Sequence, residues 1–216
     1  MANLIIDIGN TALKAAWADG MTLGKTFRYQ GERMLDFILS LTAKEKPGLI
    51  MMSSVRNFSS QALKRLENEC GRLVVADESL VSSYGLPSWL TPDRVASIVA
   101  SRFLFKNRNC TIFDFGTALT VDFIDAQGNF MGGNISLGCR TRFKALHRYS
   151  KPFPLLDAPE SIQDAGTDIA SSLTSGVITG MMFEIDGYIS RYPENINVFT
   201  GGDAIYFAKR MKNSIF

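Results

Sequence analysis

The 216-residue sequence predicts a two-lobed α/β protein built from a duplicated unit, and three observations predict it. Short apolar runs rich in Ile, Val and Phe alternate with segments whose apolar residues recur at helical spacing, as in a buried sheet flanked by helices. LIIDIGNTALK around Asp7 is echoed by TIFDFGTALTV around Asp114, a shared apolar-apolar-Asp-x-Gly pattern followed by Thr, 107 positions apart and so half the chain. Each copy runs into a second apolar stretch, 14–18 and 119–124, as a β-hairpin with a glycine-containing turn would. Lobes are therefore expected at 1–107 and 108–216, packed around a cleft.

Taken in order, strands are expected at 3–8, 48–53, 72–76, 111–115, 119–124 and 196–200, where β-branched and aromatic residues cluster. Helices are expected where apolar residues share one helical face: Leu35, Ile38, Leu39 and Thr42; Ala62, Leu63 and Leu66; Val95, Ile98, Val99 and Phe103. In 139–151 the cations Arg140, Lys144 and Arg148 fall on one helical stripe, with His147 beside it to pack or hydrogen-bond. A late helical segment carries Gly176, Gly180 and Gly187 among Val177, Met181 and Ile185. Glycine inside a helix costs up to about 1 kcal/mol relative to alanine, so these three imply close approach of another helix, within the core or across a subunit interface.

Composition excludes several classes of function. Hydrophobic residues make up 46% and charged residues 20% of the chain, which argues against disorder. The formal charge of 23 − 21 = +2 lacks the basic excess of a nucleic-acid partner. The N-terminus has no basic opening and Asp7 interrupts its apolar run, against a secretory leader. The uncharged stretch 169–183 falls short of the roughly 20 apolar residues that cross a bilayer. Three cysteines, Cys70, Cys110 and Cys139, show no CxxC spacing, and one histidine leaves no His/Cys metal cluster. A cytoplasmic protein with reduced thiols, Cys70 and Cys110 being buried packing residues, is the expectation.

Three groups of residues could carry chemistry. A glycine two residues after a strand-end Asp lets backbone approach a phosphate, and Asn10, Thr11 or Thr117 can donate to its oxygens. Asp7 or Asp114 could hold a cation that neutralises polyphosphate. An ordinary structural turn would look the same, and the duplication is what raises a phosphate site beside it. Thr91, Pro92 and Asp93 read as an N-cap, a first helical residue and a first-turn acid, a complete structural account. They equally place Asp93 as proton acceptor for a hydroxyl and Arg94 as a two-point clamp for a carboxylate. Val198 to Ala204 is a strand entering Gly201-Gly202 ahead of a helix, suited to close approach to a base or ribose or to an ordinary turn.

Together these motifs resemble the type III pantothenate kinases of the actin-like ATPase and sugar-kinase superfamily. The resemblance runs along most of the chain. Asp7-Ile8-Gly9-Asn10-Thr11 is similar to the family's Asp-x-Gly-Asn-Thr, Ser53-Ser54-Val55 to its Ser-Ser-Val, and Tyr84 and Pro87 to its Tyr-x-Asn-Pro. Asp93-Arg94 matches the end of Gly-x-Asp-Arg. Asp114 to Ala118 with Gly132-Gly133 matches the second phosphate region, Ser175-Gly176 with Gly180 and Gly187 the late helix, and Thr200 to Ala204 the Thr-Gly-Gly-Asp-Ala motif.

The resemblance implies a duplicated actin-like (ribonuclease H-like) fold with a nucleotide cleft. It also implies ATP-dependent phosphorylation of pantothenate to 4′-phosphopantothenate, the first step of coenzyme A synthesis. Asp93 would accept the hydroxyl proton, and Tyr84, Thr91, Pro92 and Arg94 would join it in binding pantothenate. Asp7, Ile8, Gly9, Asn10, Thr11, Ala12, Leu13 and Lys14, with Gly116, Thr117, Gly201 and Gly202, would bind ATP. Asp114 would hold potassium or ammonium, Mg2+ would accompany the nucleotide, and the protein would be a homodimer. Thr91, Leu86 and Asp168-Ile169 depart from the family's Gly, Asn and Asn-Thr, and the chain stops short of the family's usual final strand and helix. Thr91, Leu86 and Ile169 also suit a non-catalytic nucleotide-binding regulatory or accessory protein on the same fold.

Overall fold

A computed structural model describes residues 2–9 and 11–211; Asn10, one of the phosphate-turn candidates, lies outside the described residues. The chain divides into two compact units, the first ending at Ala96 and the second beginning at Ser97. That division falls upstream of the residue 107 inferred from the repeat.

The first unit contains β1 (Asn3–Ile8), β2 (Leu13–Asp19), β3 (Thr22–Tyr29), β4 (Leu49–Ser54) and β5 (Arg72–Val75), with α1 (Met34–Thr42), α2 (Ser60–Asn68), α3 (Glu78–Ser83) and the start of α4 (Pro92–Leu104). Its strands lie in the order β3-β2-β1-β4-β5, β1 being antiparallel to β2 and parallel to β4. Leu4, Ile6 and Ile8 of β1 are buried with Leu13, Ile50 and Met52 against Ile38 and Leu41 of α1 and Leu66 of α2. Side chains alternate across a strand, so Asp7 is turned to the sheet face opposite this core.

The second unit contains β6 (Cys110–Phe115), β7 (Ala118–Ile124), β8 (Phe130–Leu137), β9 (Ile196–Gly201), α5 (Cys139–Tyr149), α6 (Ile169–Arg191) and α7 (Ala204–Ala208). The strand order β8-β7-β6-β9 repeats β3-β2-β1-β4, with the same antiparallel hairpin and the same parallel neighbour. The internal echo read from the sequence is thus a repeat of topology. Phe113, Phe115 and Phe199 pack with Phe143, Ile178, Met181, Ile185 and Phe207. Phe115 stacks on Phe207 with ring centroids 5.1 Å apart and planes 14° from parallel.

Three elements go beyond the sequence expectations. Most of β3 is exposed, so its residues lack the apolar alternation that marks a half-buried strand. In β8 the pair Gly132-Gly133 weakens strand propensity. The short α3 is set by its cap, the Asp77 carboxylate accepting from the Leu80 amide at 2.9 Å.

All three cysteines are buried free thiols, and no helix among the described residues is long and apolar enough to cross a membrane. His147 hydrogen-bonds through Nδ1 to the Phe153 carbonyl at 2.7 Å. Helix α6 turns Ser175, Ile178, Met181 and Ile185 inward. A Cβ added at Gly176, Gly180 or Gly187 would meet nothing within 4 Å, so the helix does not use these glycines to pack in the described chain.

Candidate active site

In the first unit the Asp-x-Gly turn is clamped from behind. Ile8 and Leu13, on either side of it, are fully buried. The Gly9 amide donates to the Ala12 carbonyl at 3.1 Å, and the Ile8 carbonyl accepts from the Val55 amide at 3.0 Å. The side chains of Ile8, Ala12 and Leu13 belong to the core, so these residues can offer a phosphate only their backbone, whereas Thr11 and Lys14 are exposed.

Register places Asp7 opposite Lys14 on β2 and Ser53 on β4. The Ser53 hydroxyl donates to Asp7 Oδ1 over a long 3.5 Å. Burial pushes the Asp7 carboxyl above its ordinary range; Lys14 opposes the shift, the negative charge of Asp93 reinforces it and the Ser53 hydroxyl opposes it. The charge of Asp93 therefore reaches the Asp7 carboxyl although the two lie far apart in sequence.

Asp93 stands in the first turn of α4, and the Val95 amide donates to the Thr91 carbonyl at 3.0 Å, as expected of a helix opening at Pro92. Arg94 is only 2% exposed, with its guanidinium 5.2 Å from the ring centre of Trp89. A cation held out of water acts on a ligand carboxylate more strongly than one at the surface. Tyr84 ends α3 and is exposed, while Leu86, at the family's Asn position, is buried. Leu86 fills core space there.

In the second unit Asp114 lies opposite Thr120 on β7 and Thr200 on β9, the same register that Asp7 has with Lys14 and Ser53. The Gly116 amide donates to the Ala118 carbonyl at 3.0 Å, and the Phe115 carbonyl accepts from Asp203 at 3.2 Å. Gly201 has φ +98°, and a Cβ on it would lie 2.5 Å from Asp114 Oδ1 and 2.6 Å from both the N and O of Phe115. Its close approach is to β6. Gly202 is uncrowded, its nearest such neighbour being the Phe115 carbonyl at 3.9 Å.

Thr120 Oγ1 is buried with no hydrogen-bond partner, an acceptor and donor left over beside Asp114. Burial pushes the Asp203 carboxyl up, with Arg140 opposing. Arg140 also pairs with Asp157 at 3.6 Å. The Cys139 thiol is pushed up to about 12, chiefly by burial, which removes it as a nucleophile at neutral pH.

Before α6, Asp168 and Ser171 form a reciprocal capping box, so Asp168 has a complete structural role. The cap borders an open cavity of about 570 Å³ lined by Phe153, Gly166, Thr167, Asp168, Ile169, Ser172 and Leu173. Ser53 and Thr120 are not among the site residues expected from the sequence. They join it because strand pairing sets them beside an acid; the sequence signals are the Ser-Ser-Val resemblance for Ser53 and the repeat around Asp114 for Thr120.

Taken singly, a hairpin mouth that presents a carboxylate and backbone amides suits phosphate and hard cations, and a further carboxylate suits a hydroxyl. The family model for type III pantothenate kinases matches residues 3–191. The type III pantothenate kinase of Cytophaga hutchinsonii is 37% identical over 99% of this chain and 92% of its own length. Among solved structures, a Baf family protein from Campylobacter jejuni superposes with a TM-score of 0.66 at 22% identity, covering 98% of this chain and 89% of that one. A ROK hexokinase from Thermus thermophilus does so at 0.52 and 13% identity, covering 95% and 83%. These two likenesses show that this chain shares their fold. The family match and the close relative show that the chain belongs to the type III pantothenate kinases.

Proposed function

We infer that the protein transfers the γ-phosphoryl group of ATP to the hydroxyl of pantothenate, yielding 4′-phosphopantothenate and ADP at the first step of coenzyme A synthesis. The assignment of residues is supported by Asp93, on the first turn of α4, lying near enough for its charge to act on Asp7 of the first Asp-x-Gly turn.

Phosphoryl transfer asks a protein mainly to position reactants and offset charge. The bond that forms joins the pantothenate hydroxyl oxygen to the γ-phosphorus, and the bond that breaks joins that phosphorus to the β–γ bridging oxygen. Asp93 orients the hydroxyl and accepts its proton as transfer proceeds. Arg94 holds the pantothenate carboxylate, with Tyr84, Thr91 and Pro92 shaping the surroundings. Asp7 to Lys14, with Gly116 and Thr117, serve the phosphates, and the Gly201-Gly202 turn serves the nucleoside.

Mg2+ and a monovalent cation, potassium or ammonium, belong to this reading. Hard oxygen donors fit both. Among the described residues no group of three or more His, Cys, Asp or Glu is arranged to hold a metal, so Mg2+ would take most ligands from phosphate and water. Asp114, with the Thr120 hydroxyl beside it in register, would hold the monovalent ion, which supplies positive charge to the polyphosphate.

The same reading makes the protein a cytoplasmic homodimer. Ile169, Gly176, Gly180, Phe183 and Gly187 fall on one face of α6 by helical spacing, with Phe183 71% exposed and the glycines bare. That face suits a second copy.

The test is ADP release from purified protein with ATP, Mg2+ and pantothenate, with and without potassium. Potassium-dependent release that requires pantothenate is expected. Nucleotide binding without release would instead support an accessory protein.

A further inference from the structure

The first turn of α5 is bonded directly to the second Asp-x-Gly turn. The Thr117 carbonyl accepts two hydrogen bonds, from the Gly138 amide at 3.0 Å and from Thr141 Oγ1 at 2.7 Å. Gly138 is the N-cap of α5, and Thr141 lies in its first turn. The backbones are in such close contact that a Cβ at Gly138 would overlap the Gly116 and Thr117 carbonyl groups.

The helix start is itself tied down. Arg142 Nε donates to the Leu137 carbonyl at 2.8 Å, and Arg142 Nη2 reaches Ser136 Oγ at 3.3 Å and the Glu184 carboxylate. Ser136 Oγ donates to Glu184 Oε1 at 2.6 Å. Strand β8, helix α5 and helix α6 are thus locked around the residues that grip Thr117.

We propose that Thr141 is a positioning residue for nucleotide binding, its hydroxyl fixing the peptide plane of the second phosphate turn. The C=O and N–H of a trans peptide point in opposite directions. Holding the Thr117 carbonyl toward α5 therefore holds the Ala118 N–H the opposite way. With both acceptor sites of that carbonyl used, the turn is set before a phosphate arrives, and binding has less ordering to do. Thr141 acts through the turn and touches neither substrate nor the reacting phosphorus. The proposal rests on the reading of this turn as part of the ATP site.

The test is ADP binding by isothermal titration calorimetry, together with the KM values for ATP and pantothenate, on wild type, Thr141→Val and Thr141→Ser. Valine keeps the shape and removes the hydroxyl. The loss of one hydrogen bond corresponds to a rise of roughly 3–10-fold in the Kd for ADP and the KM for ATP. The KM for pantothenate should stay within about twofold, and serine should restore the wild-type values. Equal ADP affinity in wild type and Thr141→Val, or failure of serine to restore it, overturns the proposal. Thr141→Ala, read the same way, replaces the valine variant if circular dichroism shows the latter unfolded. A wild type that binds ADP but never phosphorylates pantothenate refutes the kinase reading and leaves this test standing. A wild type that binds no ADP refutes both.

Discussion

Gly201 is pressed against Asp114 so closely that a Cβ on it would lie 2.5 Å from the Asp114 Oδ1 atom. Its φ of +98° is in addition one that L-residues rarely adopt. Gly201→Ala should destabilise the protein by about 2–5 kcal/mol and displace Asp114. The measurement is urea unfolding alongside potassium-dependent turnover. Wild-type stability would mean that β9 shifts freely and that the contact imposes nothing.

Asp93→Asn should lower kcat by roughly 10²–10⁴-fold while ADP affinity changes little. Because Asp93 helps push the Asp7 carboxyl up, the same substitution should bring the Asp7 titration down toward the ordinary carboxylate range, read by carbon-13 NMR. Near-normal kcat removes Asp93 from the mechanism.

Asp203 gives a pH prediction whose sign follows from linkage. Burial raises its folded pKa above the reference 3.8, so the folded state binds this proton more tightly than the unfolded chain does. Its contribution therefore becomes unfavourable as pH rises from 3.8 through the folded value. Asp203 makes no side-chain cap bond at the start of α7. Asp203→Asn should flatten the decline in stability over that window, measured by chemical unfolding at stepped pH. An unchanged slope would show that Asp203 is not the group responsible.

Phe115 follows Asp114 directly and is 1% exposed, stacked on Phe207 and against Phe199. Phe115→Ala should cost about 3–5 kcal/mol and raise the KM for ATP more than that for pantothenate, since the lost packing supports the second turn. Equal changes in the two KM values would count against that local effect.

The bare face of α6 separates two outcomes. If a second copy covers it, Phe183→Asp should yield monomers in light scattering, and Gly180→Leu should weaken the dimer. If solvent covers it, Gly180→Ala should raise monomer stability by about 0.5–1 kcal/mol and Phe183→Asp should leave the assembly unchanged.

Much of this protein was legible before folding was considered. The apolar runs of β1, β4, β6, β7 and β9 are buried strands because their Ile, Val and Phe side chains have nowhere else to go, and the repeat around Asp7 and Asp114 reappears as matching strand order. The edge strands β3 and β8 were not legible. A half-exposed strand needs few apolar residues, and its partner, not its composition, holds it in place.

Local sequence alone determined the turns, the caps, the opening of α4 at Pro92 and the acidic residues at two hairpin mouths, because these depend on neighbours a few bonds away. Only the tertiary structure decided that Ser53 stands beside Asp7 and Thr120 beside Asp114, that Gly201 serves β6, and that Thr141 holds the Thr117 carbonyl. Each of those is a contact between segments distant along the chain, selected by strand register and by the packing of helices on the sheets, which no short window of residues encodes.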